Sequence, residues 1–229
     1  MPITTCVFDA YGTLFDVAAA ARQAADEPDF TELKDSWPAL AEHWRLKQLQ
    51  YTWLRAVADA HTDFGKVTED GLDWALEKTG LDGNAALRAR LLALYWELQS
   101  YPEVPQMLRS LKDGGMNTAI LSNGSPEMLV GAVRSAGIEA LLDDTLSVES
   151  VGIFKPAAIV YDMVLRRFGC SKEEVLFVSS NGWDAGCATG YGFTTAWVNR
   201  AGDPVDLLPW EPVHTLGDLT GIPALAGLS

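Results

Sequence analysis

Hydrophobic residues recur at spacings of three and four through much of the first hundred residues, which is the pattern of amphipathic helices. In the clearest case Leu46, Leu49 and Trp53 follow one another at these spacings. No convincing strand pattern separates such stretches, so they predict a helical subdomain. The pattern predicts helices over three segments: 37–60, 68–79 and 85–98.

After Pro102 the pattern changes, because short apolar runs begin to alternate with helical segments. Alternating strands and helices indicate parallel strands joined by right-handed crossovers. We therefore predict a doubly wound α/β core with a parallel sheet (residues 1–15 and 101–229), interrupted by a helical cap subdomain (residues 16–100). The predicted strands are 3–8, 118–121, 145–148, 175–178 and 194–198, and the predicted core helices are 104–112, 126–136 and 156–168.

Composition narrows the class of protein. The chain has 229 residues, of which 48% are hydrophobic, and this is enough for a buried core. Because only 21% are charged, a disordered chain is not expected. The formal net charge of -14 argues against nucleic acid or an anionic membrane as a partner. Three scattered cysteines predict a reducing, cytoplasmic location, and neither a signal peptide nor a membrane-spanning segment is expected.

Polar side chains follow the ends of the predicted strands, where ligands bind in open α/β sheets. Asp9, at the first strand end, is the candidate carboxylate nucleophile. Its expected neighbours are donors to anions rather than ligands for cations, and a nearby lysine would keep Asp9 ionised. These residues predict a pocket for a negatively charged substrate or intermediate. They are Thr13, Ser122, Asn123, Lys155, Ser179 and Asn181, and the carboxylate of Asp184 follows the same strand end as Asn181.

Four motifs now make the chain recognisable. In their order they resemble the haloacid dehalogenase superfamily, most closely its L-2-haloacid dehalogenases, and the resemblance runs through nearly the whole chain. The segment 44–55 is similar to the helix that carries the halide-binding arginine of those enzymes, here Arg45. The motifs are DAYGTL at 9–14, LSNGS at 121–125, Lys155-Pro156, and VSSNGWD at 178–184.

Two positions depart from the pattern of the superfamily's phosphatases. Tyr11 stands where a phosphatase has a second aspartate as general acid, and Ser180 where it usually has a magnesium-binding aspartate. A halide leaving group needs neither a proton nor a metal. The resemblance therefore implies no metal and no other cofactor, a small 2-haloacid as substrate, and a homodimer.

The resemblance also implies a mechanism with one inversion at C2. Asp9 attacks C2 and forms an aspartyl ester, while Arg45 and Asn123 receive the halide. Water then hydrolyses the ester, so that an (S)-2-haloacid yields an (R)-2-hydroxy acid.

The remaining implied roles fall into four groups. Ser122 and the N–H groups around Ala10 and Tyr11 hold the substrate carboxylate. Thr13, Lys155 and Ser179 organise Asp9 and the charge on its ester. Asn181 and Asp184 position or deprotonate the water. Tyr11, Leu46, Leu49, Phe64 and Trp183 line the pocket, and Tyr161 either joins them or only packs on the sheet.

Other interpretations stay open at this point. A metal-dependent phosphatase or phosphomutase of the same superfamily is the second candidate, and a non-catalytic binding module with the same fold is the third. Asp184 could also cap the helix that follows Trp183, with or without a role in catalysis.

Overall fold

A six-stranded parallel sheet lies at the centre of the molecule, in a computed structural model that describes residues 1–228. The strand order β3-β2-β1-β4-β5-β6 confirms the predicted doubly wound α/β fold. The strands are β1 Thr5–Phe8, β2 Asn117–Ser122, β3 Asp144–Ser147, β4 Val175–Ser179, β5 Thr194–Val198 and β6 His214–Leu216.

Helices flank this sheet and fill the long segment after β1. Four of them, α1 to α4, lie between β1 and α5 in the chain, and α2, α3 and α4 correspond to the three predicted helices. The helices are α1 Ala19–Ala25, α2 Trp37–Val57, α3 Phe64–Thr79, α4 Ala85–Trp96, α5 Val104–Asp113, α6 Pro126–Ser135, α7 Ala158–Phe168, α8 Gly182–Tyr191 and α9 Ile222–Leu225. None of those in residues 1–228 combines the length and apolar character that a membrane crossing requires.

The central strands β1 and β4 form a fully buried middle of the sheet, next to the expected site. Every residue of β1 and of β4 is buried, as expected for parallel strands covered on both faces. Because β1 pairs with both β2 and β4, the strand order reverses at β1. The residues that follow β1 therefore lie at the topological switch point, where doubly wound sheets bind ligands.

The helix boundaries differ from the predictions in ways that local chemistry explains. Helix α3 begins at Phe64 rather than residue 68, because the Asp63 side chain accepts a hydrogen bond from the Lys66 N–H and caps the helix there. Gly80 ends it in the left-handed conformation, with φ 73°. The three-residue strand β6 and the short helices α1 and α9 were not predicted, since none of them is long enough to show a period.

The chain leaves and re-enters the core at adjacent positions. The Asp16 N–H donates to the Gln99 carbonyl at 3.1 Å, and the Tyr101 N–H donates to the Leu14 carbonyl at 2.9 Å. Arg200 on the core side forms a 2.7 Å ion pair with Glu103 beside these crossings. We propose that the paired crossings are the two boundaries of the cap, residues 16–100.

Candidate active site

Asp9 follows β1 directly and is held at the sheet edge by its backbone. Its N–H donates to the Val178 carbonyl of β4 at 2.8 Å. The N–H groups of Ala10 and Tyr11, which come next, find no acceptor within residues 1–228. The loop therefore presents one carboxylate and two free backbone donors at the same edge.

The Asp9 carboxylate is surrounded by donors on both oxygens. Oδ1 accepts from the Lys155 ammonium at 3.1 Å, and Oδ2 accepts from the Asn181 amide at 3.1 Å. The Thr13 hydroxyl accepts the Ser180 N–H at 2.7 Å and lies 3.1 Å from both Asp9 Oδ2 and the Ser180 hydroxyl, to either of which it can donate. These contacts fix the orientation of the carboxyl group, on a side chain that is only 9% exposed.

Lys155 connects Asp9 to a second carboxylate. Its ammonium lies 2.9 Å from Asp184 Oδ2, and both side chains are buried. Burial by itself lowers the pKa of Lys155, but the attraction of Asp184 and then of Asp9 outweighs it, so the pKa is raised. Lys155 is therefore a buried cation shared between two carboxylates.

Asp184 lies in the first turn of α8, where Asn181 and not Asp184 is the N-cap residue. The prediction that Asp184 could cap this helix is wrong, because its carboxylate turns inward. Burial raises the pKa of Asp184, and Lys155 opposes that rise. Its Oδ1 accepts from the Tyr161 hydroxyl at 2.8 Å, so Tyr161 holds Asp184 in place rather than lining the cavity.

Arg45 reaches from helix α2 to the residues that follow strands β1 and β4. One guanidinium nitrogen donates to the Tyr11 carbonyl at 3.0 Å and to the Asn181 side-chain carbonyl at 3.1 Å. Asn181 therefore links the arginine on the helix to the carboxylate of Asp9.

Three further polar residues complete the site. The Asn123 side-chain carbonyl accepts the Lys155 N–H at 2.9 Å, which leaves the amide donors of Asn123 for a ligand. The Ser122 hydroxyl accepts the Gly124 N–H at 3.0 Å. Ser179 is fully buried, and its hydroxyl accepts the Asn181 N–H at 3.2 Å.

These side chains enclose a cavity of about 10 Å³. That volume is roughly the space of one water molecule, so this conformation is closed around the site. The cavity is lined by Asp9, Tyr11, Arg45, Leu49, Phe64, Ser122, Asn123, Lys155, Asn181 and Trp183.

The other predicted residues are placed differently. Thr13, Ser179 and Asp184 lie behind the lining and contact it, while Ala10 is fully buried. Leu46 does not line the cavity, so its prediction as a pocket residue is wrong. It is 53% exposed, because on a helix it points about 100° away from its neighbour Arg45.

Sequence reasoning missed a buried polar pair behind the cavity wall. The Tyr95 ring stacks on the Tyr11 ring, with centroids 5.5 Å apart and 18° between the planes. The Gln48 amide donates to the Tyr95 hydroxyl at 3.1 Å and to the Thr68 hydroxyl at 2.9 Å. One sign of this pair is present in the sequence. Gln48 comes four residues after Trp44, so a polar side chain lies on the apolar face of α2.

The donor set does not fit a metal ion. Within the described part of the chain, no three histidine, cysteine, aspartate or glutamate side chains cluster as a metal site would require. The Lys155 ammonium also lies between the carboxylates of Asp9 and Asp184, where a hard cation would have to bind.

Comparison with known proteins identifies relatives over nearly the whole chain. A family model described as haloacid dehalogenase-like hydrolase matches residues 3–190. A relative named (S)-2-haloacid dehalogenase 1, from Pseudomonas sp. (strain CBS-3), is 41% identical over 224 residues, which are 98% of this chain and 96% of the relative.

Solved structures give the same result. A crystal structure of an L-2-haloacid dehalogenase superposes with a TM-score of 0.92 at 39% identity, covering 99% of this chain and 100% of that chain. The L-2-haloacid dehalogenase from Xanthobacter autotrophicus, solved with chloropropionic acid covalently bound, has a TM-score of 0.88 at 32% identity, and 98% of each chain is covered. The chain therefore belongs to the haloacid dehalogenase-like hydrolases and, within them, to the group that contains the L-2-haloacid dehalogenases.

Proposed function

We propose that this protein hydrolyses short-chain (S)-2-haloalkanoic acids to (R)-2-hydroxyalkanoic acids and halide, without a metal ion. The observation that carries the proposal is the buried ammonium of Lys155, 3.1 Å from Asp9 and 2.9 Å from Asp184. It orients Asp9 as a nucleophile and occupies the place of a metal. The names of the relatives, (S)-2-haloacid dehalogenases, support the substrate class.

In the first step an oxygen of Asp9 attacks C2 from behind the carbon–halogen bond. The new carbon–oxygen bond forms as the halide leaves with the bonding electrons, which inverts C2 and gives an aspartyl ester. Alignment of oxygen, carbon and halogen is the main requirement. The positive charge of Arg45 and the free amide donors of Asn123 receive the halide, since both line the cavity.

The substrate carboxylate needs donors of its own. The unpaired N–H groups of Ala10 and Tyr11 and the hydroxyl of Ser122 serve this purpose at the sheet edge. Tyr11, Leu49, Phe64 and Trp183 exclude bulk water from the reacting atoms.

In the second step water attacks the side-chain carbonyl carbon of Asp9 and releases the hydroxy acid. Asp184 accepts a proton of that water, and a pKa raised by burial suits it to act as a base. Thr13, Lys155 and Asn181, with Ser179 behind it, stabilise the charge that develops on the ester oxygen. The homodimer and the cytoplasmic location that the resemblance implies stay predictions.

The experiment measures halide release from racemic 2-chloropropionate in excess EDTA, with chiral analysis of the remaining acid. Release from the (S)-acid alone supports the proposal. A single turnover in heavy-oxygen water should place the label in the peptide that contains Asp9. Asp9→Ala should release no halide, whereas the control Asp113→Ala, at an exposed position, should retain halide release.

The alternatives have distinct results. p-Nitrophenyl phosphate with magnesium tests for the phosphatase, and metal-dependent nitrophenol without halide release would overturn the proposal. A folded protein that releases neither product would favour the non-catalytic binding module.

A further inference from the structure

A second concave surface lies on the other side of Trp183, and we call it the apolar groove. It has a volume of about 530 Å³, much larger than the reaction cavity. Apolar side chains form almost all of its wall. Those that matter here are Trp53, Val57, Ile153, Phe154, Pro156 and Trp183.

Helix α2 contributes side chains to the walls of both spaces. Arg45 and Leu49 line the reaction cavity, and Trp53 and Val57 line the apolar groove. Each follows the previous one by four residues, a step that turns about 40° round the helix, so neighbours in this row are adjacent and the row turns gradually from the cavity to the groove. The distance along the axis from Leu49 to Val57 is about 12 Å. The helix thus gives the cavity and the groove one continuous wall.

The opposite wall is continuous as well. Lys155 lines the reaction cavity, while its sequence neighbours Phe154 and Pro156 line the groove. Trp183 belongs to both linings. The ring centroids of Trp53 and Trp183 are 5.3 Å apart, in an edge-to-face contact at 87°. This pair of indoles is therefore the partition between the two spaces.

The partition is held by packing alone. The indole N–H of Trp183 is buried and has no hydrogen-bond partner within residues 1–228. Buried indole N–H groups usually have a partner. Because that of Trp183 has none in this part of the chain, rotation of the ring breaks no hydrogen bond. Rotation of Trp183 would join the cavity to the groove.

We propose that the apolar groove is a subsite for the alkyl chain of longer 2-haloalkanoic acids whose C2 lies at Asp9. The inference rests on the proposed function and extends its substrates beyond short chains. C2 carries a carboxylate, a halogen, a hydrogen and an alkyl chain, and only the chain is apolar and variable in length. The groove is the apolar space that continues from the cavity along both walls, and Val57 at its edge is 90% exposed.

The test compares halide release from 2-bromopropionate and 2-bromodecanoate by the wild-type protein, Val57→Asp and Leu54→Asp. Leu54 is the matched control, because it lies on the same helix, is 57% exposed and lines neither space. Val57→Asp should lower kcat/KM for 2-bromodecanoate roughly tenfold or more, the effect of removing one apolar side chain from a buried contact. Its activity on 2-bromopropionate, and that of Leu54→Asp on both acids, should stay within about twofold of wild type.

Two results would overturn the subsite. In one, the wild-type protein acts on 2-bromopropionate but not on 2-bromodecanoate. In the other, Val57→Asp and Leu54→Asp behave alike. A change of oligomeric state in Val57→Asp alone, seen by sedimentation, would also overturn it and make the groove an interface between copies of this chain.

If both bromo acids are inert, the proposed function fails and the groove is tested by binding alone. Calorimetric titration with decanoate, with propionate as reference, serves this purpose. Decanoate binding that Val57→Asp weakens and Leu54→Asp retains would support an alkyl subsite. No decanoate binding to the wild-type protein would overturn it.

Discussion

The Lys155 ammonium lies 2.9 Å from the Asp184 carboxylate, and the pair has almost no contact with solvent. With Asp9 at 3.1 Å from the same ammonium, two negative charges share one positive charge inside the protein. Such a cluster is costly to desolvate, and its members depend on one another. The same charges therefore contribute both to the stability of the core and to the chemistry at the sheet edge.

Replacing Lys155 by methionine should destabilise the protein strongly. Because it leaves two carboxylates unpaired, the free energy of unfolding at pH 7 should fall by about 3–5 kcal/mol. Urea denaturation measures this, and Lys112→Met is the control. Lys112 pairs with Asp143, but both side chains are about one-third exposed, so its loss should cost about 1 kcal/mol or less.

The pH dependence of that loss has a definite sign. The pKa of Lys155 is raised, so its contribution is complete below the ordinary lysine pKa of 10.5 and is lost only as pH rises above it. Without Lys155 the pKa of Asp184 rises further, and acid then relieves the buried charge. The difference between wild type and Lys155→Met should shrink from pH 7 to pH 5. An equal difference at both pH values would contradict this account.

Tyr161→Phe should move the acid limb of the pH–rate profile to higher pH. Burial raises the pKa of Asp184, and the Tyr161 hydroxyl opposes that rise by donating to the carboxylate at 2.8 Å. Removing the hydroxyl raises the pKa further, so Asp184 protonates and loses its role as base earlier as pH falls. Asp9, Lys155 and Arg45, the other charged groups at this site, are unchanged.

Halide release measured across pH tests this, with Tyr191→Phe as control. The Tyr191 ring lies 5.5 Å from that of Tyr161, but its hydroxyl donates to Asp162 instead. An acid limb that moves equally in both variants, or moves in neither, would remove Tyr161 from the control of Asp184.

Much of this arrangement was predictable from sequence, because strand ends in a parallel sheet converge on one edge. Asp9, Ser122 and Asn181 each follow an apolar run, and this fixes their place before any contact is known. The sequence predicts Lys155 at this edge because of the loop that carries it. Its ion pair with Asp184 was not predictable, because that contact depends on how the chain folds around both residues. The alternation of strands and helices in the core was therefore predictable from the pattern of apolar residues.

The errors lie where side-chain direction or three-dimensional packing decides. Leu46 and Leu49 are equally apolar, and only the rotation of α2 determines that Leu49 faces the cavity. Tyr95 comes forty-seven residues after Gln48, and nothing local to either residue predicts that they form a hydrogen bond. Tyr161 matched a family position, but its contact with Asp184 is set by the packing of α7 and α8.

Arg45→Ala should impair the reaction far more than the fold. Arg45 makes two charge-assisted hydrogen bonds across the cavity, so removing it should lower kcat/KM about 10- to 100-fold. Arg55→Ala on the same helix is the control, since Arg55 bonds the Ala60 carbonyl and Asp70 away from the cavity. Steady-state halide release and thermal unfolding, measured together, separate the two effects. Equal rates in both variants would exclude Arg45 from the reaction.

Tyr95→Phe tests whether the wall behind the cavity positions Arg45. The Tyr95 ring stacks on the Tyr11 ring, and the Tyr11 carbonyl accepts a hydrogen bond from Arg45. Burial raises the pKa of Tyr95, and the positive charge of Arg45 opposes the rise. The Tyr95 hydroxyl also bonds the Gln48 amide, which phenylalanine would leave with Thr68 alone. Loss of these contacts should reduce stability by about 1–3 kcal/mol.

The kinetic effect of Tyr95→Phe distinguishes positioning from simple packing. If the hydroxyl holds the guanidinium in line with the leaving halide, kcat should fall about two- to tenfold and product inhibition by bromide should weaken by a similar factor. KM should change less, because the groups that hold the substrate carboxylate are untouched. Tyr51→Phe, at a half-buried position of α2 that does not line the cavity, controls for the loss of a hydroxyl. A variant that is less stable but has unchanged kcat and bromide inhibition would reduce Tyr95 to a packing residue, because misplacement of Arg45 must weaken its contact with the halide.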